Sequence, residues 1–208
     1  GIIKSTVFKQ FVGGETVEEC HDQIERLYKE KVYSVLDYSA EGKKTEDAFD
    51  YTRDTTIHTI EFGGSNEHIP FAVFKPNGMG RFDLYAKVSD GKELTAEESE
   101  EWERVRQRYI DISEKAVKHQ VPVMVDAEET WIQKAIDNLV TELMQKYNKE
   151  KAIVWNTTQM YRTDRLEFLK KSLQHAKDNN YFYGVKIVRG AYIEKERRRA
   201  QELGYTDP

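Results

Sequence analysis

Three features of the sequence predict an α/β fold built around a parallel β-sheet. Short apolar runs alternate along the chain with longer stretches in which apolar residues recur at helical spacing. The apolar runs begin at residues 32, 71, 121, 152 and 183, and these spacings suit right-handed βαβ units. Runs such as 121-VPVMV-125 are almost continuously apolar, which is typical of parallel strands covered on both faces.

Five strands and their helices follow one another along the chain. The predicted strands span residues 32–38, 71–75, 121–126, 152–156 and 183–188. The predicted helices span residues 17–30, 45–62, 129–146, 164–178 and 192–203, and a further helix begins near Thr95 after the turn 76-PNGMG-80. Thr95 and Glu98 have the spacing of a capping box, in which each side chain accepts a hydrogen bond from a backbone N–H at the helix start.

The length of 208 residues suits one domain with a short appendage, at ~150 residues per domain. We assign residues 1–31 to an N-terminal helical segment and residues 32–208 to the α/β domain. A parallel sheet is either an open doubly wound sheet or a closed barrel. No glycine-rich phosphate-binding motif follows a predicted strand, and this argues against an open sheet that binds a nucleotide. A complete barrel needs about 250 residues and eight strands, so the residues themselves leave two choices, an open sheet or a piece of a barrel.

Composition and charge exclude several classes of protein. The chain has 32 basic and 37 acidic residues and a net charge of −5, which argues against a nucleic-acid partner. No apolar run approaches the ~20 residues of a membrane span, and no signal-peptide pattern opens the sequence. The single Cys20 cannot form an internal disulfide, and ligand spacings of cysteine and histidine are absent. We therefore expect a soluble, intracellular protein without a metal site.

Charged and polar residues follow the predicted strands. In parallel α/β folds, functional groups gather at the carboxyl ends of the strands. A cationic pair at such a mouth, balanced by carboxylates, suits an anionic ligand such as a phosphate or a carboxylate. The residues at these positions are Asp37, Lys75, Asp126, Glu128, Asn156, Gln159, Lys186 and Arg189.

Simpler interpretations apply to the same residues. Asp126 and Glu128 also fit an acidic cluster favoured by the dipole at a helix start. Lys186 also fits a strand residue whose ammonium reaches solvent. The charged run 194–199 is typical of a solvated helix face, and no serine or cysteine shows the pattern of an activated nucleophile.

Several short segments resemble one family. The segment 184-GVKIVRGAYIEKERRRA-200 resembles the signature of proline dehydrogenase, a flavoenzyme family. Three other segments resemble that family and stand in the same order as in it: 36-LDYSAEGK-43, 123-VMVDAEET-130 and 153-IVWNTTQMY-161. The family resemblance extends to the two ends, 8-FKQFVGGET-16 and 204-GYTDP-208. The resemblance therefore covers essentially the whole chain.

The resemblance implies a fold and a reaction. The family fold is a distorted (β/α)8 TIM-type barrel with FAD at the carboxyl ends of its strands. Residues 32–208 would then be a partial barrel catalytic domain of about five βα units, preceded by an N-terminal helix. The family reaction oxidises L-proline to Δ1-pyrroline-5-carboxylate by hydride transfer to flavin and passes the electrons to a quinone, as the first step of proline catabolism.

The resemblance also assigns roles to residues. Asp126 and Lys186 take the positions of catalytic residues, and Lys75 and Tyr192 those of substrate-binding residues. Lys186 stands where the family often has arginine, so it offers no planar fork of donors. Asn156 stands where several members have a glutamine. The residues implied to bind FAD are Ala127, Val154, Asn156, Lys186, Arg189, Gly190 and Ala191.

Partners and location follow from the resemblance as well. It implies a membrane quinone as electron acceptor, and it leaves open peripheral membrane association and coupling to a pyrroline-5-carboxylate dehydrogenase. It places the protein at the bacterial inner membrane, on its cytoplasmic face, or in the mitochondrial matrix or at the inner membrane. The family's paired arginines for the proline carboxylate lie near its C-terminus and have no counterpart here, so we expect a fragment of a longer protein.

Two other functions remain open at this point. One is a (β/α)-barrel lyase that uses Lys75 or Lys186 as a Schiff-base amine. The other is a non-catalytic partial barrel that serves as a scaffold. Trapping with borohydride would distinguish the first, and failure to bind FAD would favour the second.

Overall fold

The computed structural model describes residues 13–14, 16–38 and 44–206. A 3-10 turn (Glu18–Cys20) leads into the first helix, and a second 3-10 turn is Pro76–Gly78. The strands are β1 (Val35–Asp37), β2 (Phe71–Phe74), β3 (Val123–Val125), β4 (Val154–Gln159) and β5 (Gly184–Val188). The helices are α1 (His21–Lys29), α2 (Glu46–Gly64), α3 (Phe82–Ser89), α4 (Ala96–His119), α5 (Thr130–Tyr147), α6 (Arg165–Asp178) and α7 (Ile193–Leu203).

Parts of three sequence motifs lie outside the described residues. These are residues 8–12 and 15 of the segment 8–16, residues 39–43 of the segment 36–43, and residues 207–208 of the segment 204–208. The same holds for residues 1–12 and 15 of the predicted N-terminal helical segment.

The five strands form one parallel sheet in the order of the chain, β1-β2-β3-β4-β5. The register pairs Leu36 with Ala72, Phe74 with Val125, and Thr157 with Lys186. A doubly wound sheet reverses its strand order at a switch point, whereas this order runs in one direction. The sheet is therefore the wall of a barrel, and among the described residues β1 and β5 each pair with one neighbour only.

The helices pack against one face of this sheet. Side chains alternate between the two faces of a strand, and Ala72, Phe74, Val123, Val125 and Val154 are buried against the helices. The helices contribute many other members of this core, including Ile60, Tyr85, Tyr109, Ile112, Ile136 and Val140. The opposite face of the strands is the inner face of the barrel, where the rings of Phe71 and Trp155 meet edge to face at 5.3 Å.

The predicted helix start at Thr95 is confirmed. The Glu98 backbone N–H donates to Thr95 Oγ1 at 3.2 Å, and the Thr95 backbone N–H donates to Glu98 Oε2 at 2.8 Å. Both halves of the capping box are present. Within the part of the chain that the structure describes, no helix is both long and apolar enough to cross a membrane.

Helix α3 was not predicted. It has only eight residues and no side chain capping its first turn, so its sequence carries little local signal. It is fixed by packing, because Leu84 and Tyr85 are 2% and 0% exposed.

Strand β4 begins and ends later than predicted. The Asn148 side chain accepts hydrogen bonds from the backbone N–H groups of Ile153 and Val154, at 2.9 and 2.8 Å, and so occupies the donors with which the strand begins.

Candidate active site

Four charged side chains from four strands meet on the inner face of the sheet. Lys75 and Asp126 directly follow β2 and β3, Asp37 ends β1, and Lys186 lies within β5. Lys75 Nζ lies 2.8 Å from Asp126 Oδ2 and 3.1 Å from Asp37 Oδ2. Lys186 Nζ donates to the other oxygen of Asp126, Oδ1. Both oxygens of this carboxylate are therefore engaged by ammonium groups.

The contacts within the cluster favour the charged forms of Asp126 and Lys75. Burial raises the pKa of Asp126, but the hydrogen bonds and charges of Lys186 and Lys75 outweigh it and lower that pKa overall. Burial lowers the pKa of Lys75, and the opposing bonds and charges of Asp126 and Asp37 raise it above its ordinary value. Lys75 is therefore held as an ammonium ion at neutral pH. A protonated amine is not a nucleophile, so the structure does not favour Lys75 as a Schiff-base lysine.

Glu128 connects the end of β4 with the segment that follows β5. Its residue is 1% exposed, and its Oε2 accepts a hydrogen bond from the Tyr192 hydroxyl. Its backbone carbonyl accepts from Gln159 Nε2 at 2.7 Å, while Gln159 Oε1 accepts from the Ala191 backbone N–H at 3.2 Å. Burial, with the neighbouring charge of Glu129, raises the pKa of Glu128 to about 7, against the lowering effect of the Tyr192 hydrogen bond.

The turn after β5 packs closely against Tyr161, and two of its residues are exposed to solvent. Gly190 has φ +119°, and a Cβ built there would lie 1.9 Å from Cδ1 of the Tyr161 ring. The Tyr161 backbone N–H donates to the Arg189 carbonyl at 2.9 Å. Arg189 and Ala191 are exposed, so this turn presents its backbone and one guanidinium at the mouth.

The structure brings together most of the predicted site residues. Lys186 lies within β5, and the others lie just beyond the carboxyl ends of β2, β3 and β5: Lys75, Asp126, Ala127, Arg189, Gly190, Ala191 and Tyr192. The cluster thus combines residues that are 51 and 60 positions apart in the sequence.

The structure places Asn156 and Val154 elsewhere. Asn156 Nδ2 donates to Asp137 Oδ1 at 2.9 Å, and Asp137 Oδ2 accepts from Arg165 Nη1 at 2.9 Å, so Asn156 faces the helices α5 and α6. Val154 is 0% exposed in the core at the amino end of β4. The physical reason is the two-residue alternation of a strand, which puts residues 154 and 156 on the helix-facing side.

No role is assigned to Gln159 from the sequence alone. In the structure Gln159 occupies the inner-face position at the carboxyl end of β4. It pairs in register with Val188 of β5 and bonds both Glu128 and Ala191. Trp155 lies against Phe71 on the inner face. Counting the alternation forward from Trp155 reaches residues 157 and 159, and this is the signal that would have found Gln159.

The charged run 194–199 is not wholly a solvated face. Glu196 is 0% exposed, and its two carboxylate oxygens accept from the backbone N–H and the hydroxyl of Thr130, both at 2.7 Å. It therefore caps the start of α5 from α7. The Arg199 guanidinium lies over the Trp131 ring at 4.5 Å, and the expectation of full solvation is wrong for these two residues.

Comparisons with known proteins give one matching family and several similar sequences. A sequence profile of the family described as proline dehydrogenase matches residues 20–208 of the chain. The carbapenem antibiotics biosynthesis protein CarD of Pectobacterium carotovorum subsp. carotovorum is 38% identical over 198 residues, which cover 95% of this chain and 53% of that protein. The mitochondrial proline dehydrogenase 1 of Caenorhabditis elegans is 31% identical over 207 residues, covering 97% of this chain and 33% of that protein.

Solved structures share the fold. The structure of proline utilization A (PutA) from Bdellovibrio bacteriovorus inactivated by N-propargylglycine superimposes with a TM-score of 0.82 at 18% identity. The superposition covers 99% of this chain and 23% of that one. The chain thus spans about half of one curated relative, a third of the other, and less than a quarter of the solved protein. The predicted fold class, a distorted (β/α)8-type barrel represented by five βα units, is confirmed.

Proposed function

This chain belongs to the proline dehydrogenase family, and on that premise we propose that it forms the part of an L-proline-oxidising enzyme that contacts FAD and proline. The observation that supports the proposal most is the cluster of Lys75, Asp126 and Lys186 at the carboxyl ends of the strands. In this proposal the product is Δ1-pyrroline-5-carboxylate.

The donors of the two lysines suit an anionic substrate. An ammonium group carries three N–H donors. Lys75 directs two at Asp126 and Asp37, and Lys186 directs one at Asp126, so within the described residues both retain donor capacity. We assign the remaining donor of Lys75 to the proline carboxylate. Asp126 favours the charged form of Lys75 and holds both ammonium groups in place.

The residues at the mouth fit a flavin. The hydroxyl of Thr157, which pairs in register with Lys186, is buried and has no hydrogen-bond partner among the described residues. Gly190 and Ala191 present backbone without bulky side chains, and Arg189 adds a cation. FAD, when bound, supplies the hydride acceptor. Lys186 and Arg189 would stabilise negative charge on a ring placed over this turn.

The FAD-binding set is revised within the proposal. Ala127, Lys186, Arg189, Gly190 and Ala191 remain in it. Gln159 replaces Asn156, whose amide is bound to Asp137, and Val154 contributes to the core that supports β4.

Tyr192 completes the substrate side of the proposed pocket. Its ring lies under Lys195 Nζ at 5.1 Å, and its hydroxyl is held by Glu128. A ring fixed in this way can shield the reacting carbon from water, which hydride transfer requires.

The electron acceptor, the partners and the location are further parts of the proposal, supported by the family resemblance. They comprise a membrane quinone, peripheral membrane association, and coupling to a pyrroline-5-carboxylate dehydrogenase. The mitochondrial relatives and the bacterial solved proteins support a mitochondrial or a bacterial cytoplasmic location.

The test uses the full-length protein that contains this chain, loaded with FAD. Anaerobic L-proline should bleach the visible flavin band, and Lys186→Met should slow this bleaching strongly. Lys170→Met, an exposed lysine of α6, is the matched control and should bleach at the unaltered rate. Bound flavin that proline does not bleach would refute the proposal. A lysine adduct trapped by borohydride with a carbonyl substrate would support the lyase instead, and absence of flavin binding would support the scaffold.

A further inference from the structure

Glu128 stands out among the buried charged groups of the described residues, because its contacts reach several of the loops at the mouth. The Asn77 backbone N–H, after β2, lies 3.5 Å from its Oε1. Its own backbone N–H donates to Gln133 of α5 at 2.7 Å. Gln159, at the end of β4, binds its carbonyl, and Tyr192, before α7, binds its Oε2. Glu128 is therefore in direct contact with the segment that carries Tyr192.

We propose that Glu128 is a positioning residue that holds the Tyr192 ring in place for substrate, and that protonation of its carboxyl group weakens this hold. The inference rests on the proposed function, in which Tyr192 lies beside L-proline. The physical basis is the Tyr192 hydroxyl, which donates to a carboxylate when Glu128 is ionised. A hydrogen bond to a charged acceptor is roughly twice as strong as a neutral one.

The surroundings of Glu128 place its ionisation near neutral pH. Burial raises the pKa of its carboxyl group to about 7, with a further rise from Glu129. Lys75 after β2 and the Tyr192 hydroxyl act in the opposite direction. Among the described residues, the buried phenols of Tyr85 in α3 and Tyr109 in α4 also face it. Lys195 of α7 is engaged by Glu129 at 2.7 Å and lies on the Tyr192 ring.

The first experiment reads the coupling without turnover. Full-length, FAD-loaded protein is labelled with ¹³C at the glutamate carboxyls and tyrosine rings, and the two resonances are assigned by their loss in Glu128→Gln and Tyr192→Phe. We expect the Glu128 carboxyl to titrate near pH 7 and the Tyr192 ring resonance to shift with the same midpoint. Tyr192→Phe should raise that midpoint because it removes the bond that favours the charged form, and Glu129→Gln should lower it.

A second experiment reads the consequence for substrate. Glu128→Gln keeps an acceptor oxygen but loses the charge, so the KM for L-proline at pH 8 should rise about five-fold with little change in kcat. In the wild-type protein the KM should fall as the pH rises through 7, and this step should be missing in Glu128→Gln.

The outcomes separate this inference from the proposed function. A Tyr192 resonance that does not follow the Glu128 titration overturns the inference, whatever the activity. A KM that is unchanged in Glu128→Gln while proline still bleaches the flavin also overturns it and leaves the proposed function intact. If proline fails to bleach the flavin, the proposed function falls, and the resonance titration still decides whether Glu128 holds Tyr192.

Discussion

Replacing Gly190 by alanine tests the packing of the turn that carries the site. The added Cβ would lie 1.9 and 2.2 Å from two carbons of the Tyr161 ring and 3.2 Å from Gln159 Oε1. Carbon atoms in contact are normally 3.5–4.0 Å apart, so the ring or the turn must move by more than 1 Å. The Tyr161 hydroxyl is buried, which limits how far the ring can retreat.

Two costs add in this variant. A non-glycine residue forced to such a positive φ costs about 1–3 kcal/mol, and overpacking costs about 1–3 kcal/mol more. We therefore expect the free energy of unfolding to fall by about 2–6 kcal/mol. Gly91→Ala is the matched control, because Gly91 has φ +70° and a Cβ there would meet nothing within 4 Å. Its net cost should be near 1 kcal/mol, since alanine also restricts the unfolded chain.

Urea denaturation followed by circular dichroism measures both variants, with the midpoint and the slope compared. FAD retention after gel filtration provides the functional measurement, and Gly190→Ala should lose flavin while Gly91→Ala should not. Equal destabilisation by the two substitutions would refute the reasoning, because it would mean that the Tyr161 ring does not constrain the turn.

Three further predictions concern buried charges. Because the pKa of Glu128 is raised to about 7 in the folded protein, the folded state binds more protons than the unfolded state between about pH 4.5 and 7. The free energy of unfolding should therefore fall by about 3 kcal/mol as the pH rises through this window. Urea denaturation at a series of pH values should show this fall in the wild-type protein and not in Glu128→Gln. Arg165→Met leaves the Asp137 carboxylate, which is 7% exposed, without its cation, so the free energy of unfolding in urea should fall by about 3–5 kcal/mol. Adding Asp137→Asn should restore most of that stability, and failure to restore it would contradict a charge effect. Glu196→Ala should cost about 2 kcal/mol in thermal unfolding because the Thr130 backbone N–H loses its acceptor, whereas Glu196→Gln should cost under about 1 kcal/mol, and equal losses would argue against the cap.

The arrangement of strands was predictable from the sequence, and the faces of the strands were not. Apolar runs such as 121–125 identify buried parallel strands because both faces need cover. The same reasoning gathers Lys75, Asp126 and Lys186, since parallel strands end at one edge. Within β4, however, residues 154 and 156–159 are all buried, so burial alone does not separate the two faces. The alternation counted from Trp155, which lies on the inner face, assigns Asn156 to the helices, and the Asp137 contact agrees with it.

The sequence also did not predict one short helix and the burial of a charged residue. Helix α3 carries no cap and forms through packing of Leu84 and Tyr85, which local sequence does not report. Glu196 stands in a run of charged residues, and its burial depends on Thr130, which lies 66 positions earlier. The roles assigned by resemblance to the residues of the mouth stay predictions, and the experiments above test them.

The strand order also bears on how the protein is made. Each strand from β2 to β5 pairs with the one synthesised just before it, so every new βα unit finds its partner already outside the ribosome. Each pair is closed by a single crossover between consecutive strands, and the entropic cost of closing a loop grows only slowly with its length, so the order favours stepwise folding during translation. At every stage the strand made last is the one with which the next strand pairs.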